Sequence, residues 1–370
     1  MKSLRLYNTL SQKIERFTPL NSKEVSVYVC GVTPYDTSHL GHAFVFLVFD
    51  TLVRFLQYKK YKVVYTQNVT DIDDPLIKKA DELHTTWEAL AEKWTSYLLN
   101  DFKFLNIQMP NHYVKATQEL PKMIEIVKIL IDKGYGYIND GNVYFSIKSF
   151  PEYGALSRYN TESMLKISAE RGNDITDPRK KNPLDFVLWQ ESKKGEPAWK
   201  SPWSKGRPGW HIECTAMSMK YLGPQIDIHG GGTDLIFPHH ESEIAQAEGF
   251  SGISPFVNIW MHCAMVSYQG EKMSKSLGNL VYVQDLAKKY SANAIRYYLL
   301  SHHYRTEWEY KEEEMKSAAE KMNEIEFTLT TGLSTDTEDL IDILSEDLNI
   351  PAVLNSKPNK EILTMLGFKL

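Results

Sequence analysis

The chain has 370 residues, 42% of them hydrophobic and 12% aromatic, more than one core accommodates, so two or three well-packed domains are expected. A net charge of −5 argues against nonspecific nucleic-acid binding as the main activity, and the clusters Lys59-Lys60-Lys62 and Arg179-Lys180-Lys181 read as ordinary solvated surface. Three cysteines make no disulfide framework, no apolar run approaches the ~20 residues a bilayer span needs, and no apolar signal core follows Met1, so a cytoplasmic protein without membrane contact is expected.

In chain order the elements alternate. Residues 25–29 are β-branched and apolar, ending at Cys30-Gly31, and predict a buried strand. Apolar residues recur at helical spacing over 43–56, which puts His39 and His42 at the crossing from strand to helix. A second strand is read at 62–67, with helical patterns over 76–99 and 118–133. From about residue 111 to 200 the texture turns irregular, with a short strand at 143–146 and a polar, proline-containing stretch at 172–183, and this predicts an inserted module. Strand character returns at 225–229 and 256–260, and 292–300 begins a helical tail. The order is that of an α/β protein with a Rossmann-type parallel-sheet nucleotide-binding core in two halves, 1–110 and 201–290, an insertion at 111–200, and a short helical C-terminal region at 291–370.

Open parallel sheets bind ligands beyond the carboxyl ends of their strands. Three segments fall on that edge: Cys30 to His42 after the first strand, Asn68-Val69-Thr70-Asp71 after the second, and Gly230-Gly231-Gly232-Thr233-Asp234 after the strand ending at His229. A glycine run allows backbone to approach an adenosine, and Asp234 can accept from ribose hydroxyls, although such a run alone is more often a plain turn.

Metal-ligand spacing is sharpest in one segment, the His-x-x-His of His39 and His42 being as often a surface coincidence as a metal pair. Pro238-His239-His240-Glu241-Ser242-Glu243 reads as a helix start, with Gly249 as its stop, so His239 and Glu243 share one helix face. With Cys30 and Cys214 as soft donors, the set suits zinc. The alternative, two buried structural cysteines and a surface His-Glu hydrogen bond, is equally open at this point; Cys263 has no partner at ligand spacing and reads as structural.

Two further motifs belong together. Glu271-Lys272-Met273-Ser274-Lys275-Ser276 places two lysines three apart, and His39-Leu40-Gly41-His42 places two imidazoles on a glycine turn. Cleaving a triphosphate to pyrophosphate develops negative charge that fixed donors and cations stabilise. In this order they resemble the two signatures of class I aminoacyl-tRNA synthetases. With Tyr28-Val29-Cys30-Gly31, Thr70-Asp71-Ile72-Asp73-Asp74 and the segments 206–214 and 230–246, the chain from Leu4 to Tyr310 resembles the cysteinyl-tRNA synthetase group.

That resemblance implies activation of L-cysteine with ATP and Mg2+ to cysteinyl-adenylate. It assigns Cys30, Cys214, His239 and Glu243 to a Zn2+ ion, Thr70 and Trp210 to the amino-acid pocket, and His39, His42, Lys272 and Lys275 to ATP cleavage, with Gly41, Gly231, Gly232 and Asp234 beside the nucleotide. The expected acceptor is tRNA-Cys and the expected state a monomer. A related ligase, which couples cysteine to an aminoglucosyl-inositol amine in mycothiol synthesis, is the alternative: Thr33-Pro34-Tyr35-Asp36 and residues 164–174 resemble it, and the chain stops soon after Pro351, where a full synthetase continues into its anticodon-binding part. Residues 182–189 and 241–246 follow the synthetase instead. A zinc-stabilised non-catalytic paralogue is disfavoured because both histidines and both lysines are present.

Overall fold

A computed structural model describes residues 2–36, 38–273, 278–329 and 335–370. Lys275 therefore lies outside the described residues. The chain opens with a hairpin, β1 (Arg5–Asn8) and β2 (Lys13–Arg16). The core begins with β3 (Glu24–Val29), α1 (Leu40–Tyr58), β4 (Lys62–Val69), α2 (Asp74–Glu82), α3 (Trp87–Leu105), β5 (His112–Lys115) and α4 (Leu120–Asp132). A second sheet follows: β6 (Gly136–Asn139), β7 (Asn142–Phe145), helix α5 (Thr161–Glu170), β8 (Phe186–Glu191), β9 (Trp199–Lys200) and β10 (Lys205–Pro208). The chain then returns through α6 (Trp210–Leu222), β11 (Ile226–Gly232), α7 (Glu241–Ser251) and β12 (Val257–Cys263).

Five strands form an all-parallel sheet in the order β12-β11-β3-β4-β5. The chain builds outward from β3 in one direction and later adds β11 and β12 on the other side. The strand order thus reverses between β3 and β11, where a crevice opens at the carboxyl ends. Side chains alternate across a strand, and β3 obeys this: Val25, Val27 and Val29 join a core with α1 and α3, whereas Tyr28 and Cys30 join another with α4 and α6. The alternation aims Cys30 at the helix that carries Cys214.

The insertion forms an antiparallel sheet in the order β6-β7-β8-β10-β9. It spans 136–208, later than the expected 111–200, because His112–Lys115 pairs with β4 as the edge of the parallel sheet and Lys205–Pro208 pairs with β8. Four residues at an edge carry too little apolar pattern to be read as a core strand.

After β12 come β13 (Val266–Tyr268) and β14 (Glu271–Lys272), joined by Gln269 and Gly270, both at positive φ as a two-residue hairpin turn requires. The remainder is α8 (Val283–Leu286), α9 (Ala292–Leu300), β15 (Trp308–Glu309), which pairs with β13, then α10 (Glu312–Thr328), α11 (Thr337–Leu344), α12 (Ile350–Asn355) and α13 (Lys360–Met365). Arg296 of α9 is buried and ties this region to the core. Its guanidinium pairs with Asp50 of α1 and donates to the carbonyls of Leu105 at 2.8 Å and Leu366 at 2.7 Å. An unpaired buried charge there would be costly, so the network fixes the helices against α1.

The 19 residues of helix α1, with a mean hydropathy of 1.4, are long and apolar enough to cross a membrane by length and composition, but 72% of that span is buried inside the fold. It is the central helix of the larger core.

Candidate active site

The crevice at the carboxyl ends of β3, β4 and β11 holds a cavity of about 560 Å3. Its floor is made by Cys30, Gly31, Asn68, Thr70, Trp210, Cys214 and His239, and its mouth by His39, His42, Gly232 and Asp234 with Tyr35, Asp36 and Arg171. Gly31 is required here: a Cβ would lie 1.7 Å from the Asn68 carbonyl oxygen, and the Gly31 N–H donates to Asn68 Oδ1 at 2.9 Å. β3 and β4 therefore close to backbone distance at the floor.

Cys30, Cys214, His239 and Glu243 are buried, with one donor atom of each within 4.8 Å of the others. Cys30 Sγ is 3.7 Å from Cys214 Sγ and 3.6 Å from Glu243 Oε1, and His239 Nε2 is 3.2 Å from the same oxygen. Burial pushes the Cys30 thiol up, with Cys214 and Glu243 adding to it, and it pushes the Glu243 carboxyl up and the His239 imidazole down. Each group is thus driven toward its neutral form, which is how desolvated metal donors behave until a cation offsets the cost of their charge. Cys30, His229, His240 and Glu243 form a second, overlapping group. The first set is the one that faces the cavity, since Cys30, Cys214 and His239 line it and His229 and His240 do not.

Those two histidines support the donors from behind. His229 Nε2 lies 3.0 Å from Glu243 Oε2, and His240 Nε2 lies 3.3 Å from Cys30 Sγ. The chain continues from His240 Nδ1 to His262 Nε2 at 2.7 Å, and from His262 Nδ1 to the Thr9 hydroxyl at 2.7 Å. Burial holds His229 and His262 at about 3, so these rings are neutral at physiological pH. A neutral ring donates from one nitrogen only. If Cys30 is a thiolate, His240 must donate to it, His262 to His240, and Thr9 to His262, and the tautomers follow in sequence.

At the mouth, His39 caps α1. Its Nδ1 accepts from the Gly41 N–H at 3.1 Å, and the His39 N–H donates to His42 Nδ1 at 3.4 Å. The two rings stack at 3.9 Å, and a Cβ on Gly41 would stand 3.0 Å from the His39 ring. Both Nδ1 atoms accept backbone protons, which leaves Nε2 as the protonated nitrogen of each neutral ring. The first turn of α1 has no acidic residue, so the helix N-terminus and two imidazoles present a site suited to phosphate. Across the cavity Asp234 is paired with Arg171 of the insertion at 3.3 Å. Trp210 stacks on His239 at 4.4 Å, and Thr70 Oγ1 accepts from Asn68 Nδ2 at 3.2 Å.

A family model, "tRNA synthetases class I (C) catalytic domain", matches residues 16–320. The chain belongs to this family. It is 49% identical over 330 residues to a cysteine–tRNA ligase of Thermodesulfovibrio yellowstonii, covering 88% of this chain and 67% of that one. It is 51% identical over 315 residues to a cysteine–tRNA ligase of Dehalococcoides mccartyi, covering 85% and 68%. The chain thus spans about two-thirds of those relatives' lengths. Among solved structures, methionyl-tRNA synthetase of Mycobacterium tuberculosis bound by methionyl-adenylate superposes with a TM-score of 0.67 at 16% identity, over 93% of this chain and 82% of the other. A putative arginyl-tRNA synthetase of Campylobacter jejuni gives 0.53 at 17% identity, over 95% and 84%. At such identities these two likenesses speak for the class I synthetase fold alone.

Within this family member, most residues singled out from the sequence meet in one cavity: His39, Gly41, His42, Thr70, Trp210, Gly232 and Asp234 join three of the four metal candidates, with Glu243 directly behind. Gly231 instead sits inside β11, facing Leu235 and His240, and Gly232 makes the wall, where a Cβ would stand 2.5 Å from Asp234 Oδ1. Lys272 ends β14, at the edge of the small sheet, and Lys275 lies outside the described residues. The expected helix start and stop are both corrected: α7 begins at Glu241, so His239 lies in the preceding turn, kinked at Phe237, and the helix runs through Gly249 to a left-handed cap at Gly252. The sequence reading missed His229, His240, His262 and Arg171. The pair His239-His240 was a signal, since adjacent residues point to different sides and two roles were available.

Proposed function

We propose that the protein activates L-cysteine with ATP and Mg2+ and transfers the cysteinyl group to tRNA-Cys. The observation that carries this reading is the Cys30, Cys214, His239, Glu243 cluster on the floor of the same cavity whose mouth holds His39 and His42. The curated relatives named above, both cysteine–tRNA ligases at about half identity, favour tRNA over the aminoglucosyl-inositol amine.

The donor set fits zinc. Two tetrahedral bonds of about 2.3 Å from sulfur to zinc would hold the sulfurs about 3.8 Å apart, and Cys30 and Cys214 stand at 3.7 Å. Cysteine and serine differ by one atom, and a merely apolar pocket would separate them by about 1–3 kcal/mol. A zinc ion held by the four residues would take the substrate's thiolate as a further ligand, whereas serine's harder and far less acidic hydroxyl is a poor one.

With the side chain on the floor, Trp210 and Thr70 border the amino-acid part of the cavity. The substrate carboxylate oxygen attacks the α-phosphorus of ATP, the bond to the bridging oxygen breaks, and pyrophosphate leaves with the electron pair. His39, His42 and the start of α1 face the triphosphate and stabilise the charge that grows on its oxygens; Lys272 and Lys275 are assigned the departing pyrophosphate. Asp234 accepts from ribose hydroxyls once Arg171 yields part of its pairing. A terminal ribose hydroxyl of tRNA then attacks the carbonyl carbon and AMP leaves. Cysteine-dependent exchange of pyrophosphate into ATP tests the first half, with no exchange expected for serine; exchange with both amino acids alike would refute the metal-based selection.

A further inference from the structure

Asp101 of α3 belongs to neither ATP signature, yet it is bonded to the residue that precedes His39. Its carboxylate accepts from Ser38 Oγ at 2.7 Å, and the side chain of Gln284 stands close enough to help hold its charge. Ser38 lines the cavity and directly precedes His39. Gln284 is the second residue of the short helix α8, nine residues after Lys275. Between these two residues the chain segments are sewn together by backbone: the Leu40 N–H donates to the Val281 carbonyl at 2.7 Å, and His39 and Tyr282 form an antiparallel bridge. The segment that follows the lysine signature in sequence is thus attached to the residue pair that opens the histidine signature.

A carboxylate is an expensive way to make that seam. Asp101 is 4% exposed, and a hydroxyl and an amide, rather than a cation, stand beside it. Desolvation raises its pKa to about 6, although Ser38 and Gln284 both pull it down. An apolar residue would fill the space at lower cost but would hold neither donor. A carboxylate anchored on a third element holds Ser38, and the backbone pairing of residues 39–40 with 281–282 passes that anchorage to the segment that carries Gln284.

We infer that Asp101 is a positioning residue for ATP cleavage, holding the histidine signature in register with the base of the lysine loop. The inference rests on the reading of the cavity as a cysteine-activating site. The cysteine pocket stands on β3, β4 and α6, none of which Asp101 touches through these bonds. Loss of the register should therefore appear in the rate of adenylate formation rather than in the binding of cysteine.

The test is cysteine-dependent pyrophosphate exchange with the purified protein and its Asp101→Ala, Gln284→Ala and doubly substituted forms. Asp101→Ala should lower kcat about tenfold or more with KM for cysteine within about twofold, and Gln284→Ala should cost less alone and nothing further on top of Asp101→Ala, because residues that act through one group are not additive. Should Asp101→Ala fail to fold, the isosteric Asp101→Asn and Ser38→Ala carry the test, each with a lowered kcat and a retained KM for cysteine. Exchange that survives unchanged in these variants, or fully additive losses, would overturn the inference alone. Absence of exchange in the unsubstituted protein would overturn the reading of the cavity, and the inference with it.

Discussion

His240 Nε2 stands 3.3 Å from Cys30 Sγ, and the same ring is held from its other side by His262 at 2.7 Å. A donor aimed at a thiolate from behind stabilises its charge and fixes its direction without occupying the metal. Groups in this position alter metal affinity by about 10–100-fold. His240→Ala should therefore weaken zinc retention within that range, measured by competition with a chromophoric chelator; retention equal to that of the unsubstituted protein would remove His240 from the support of the site.

Replacing a ligand has a larger expected effect. Cys214→Ser exchanges a soft thiolate for a hard, weakly acidic hydroxyl, so near-stoichiometric zinc and cysteine activation should be lost together. Metal analysis of the purified variant decides this. Zinc close to one equivalent in Cys214→Ser would contradict the ligand set.

Lys275→Ala addresses the phosphate end. A cation that meets pyrophosphate as it departs acts on the transition state more than on bound ATP. Its removal should lower kcat for exchange by about 100-fold or more and change KM for ATP much less. A large rise in KM with kcat intact would mean that the loop only holds ATP.

Asp101 also carries a pH signature. Its folded-state value of about 6 lies above its ordinary value of 3.8, so the native protein holds this proton more tightly than the unfolded chain does. The penalty is absent at low pH, grows from about pH 4 to about pH 6, and is complete above that. Asp101→Asn removes it. Relative to the unsubstituted protein, the variant should gain about 1–2 kcal/mol on going from pH 4 to pH 7 in urea unfolding. A lowered kcat in a variant that is more stable at neutral pH would set Asp101 apart from a residue kept for stability. A pH-independent difference between the two proteins would refute the buried carboxylate.

Much of the fold was legible because its strongest patterns are local. The run at 25–29 could only be a buried strand, and the helical spacing after His39 emerged as α1. The four metal candidates were reachable from residue type, though the spacing alone left a structural reading equally open; what joins them is the alternation along β3, which points Cys30 toward α6. The rest depends on pairing across the chain. Edge strand β5 exists through its bonds to β4, Gly249 sits inside a helix because tertiary packing outweighs its propensity, and His262 matters only because Thr9 and His240 are brought to its two nitrogens. Arg171 likewise meets Asp234 through the placement of the insertion. No window of sequence holds those relations.

The proposed acceptor of the activated cysteine is tRNA. The most direct measurement supplies the protein with ATP, labelled cysteine, and either tRNA-Cys or glucosaminyl-inositol, and follows which acceptor carries the label. Acid-precipitable cysteinyl-tRNA is expected, alkali-labile as an ester must be, with no labelled amide on the amino sugar. Label on glucosaminyl-inositol and none on tRNA, with pyrophosphate exchange intact, would contradict that acceptor.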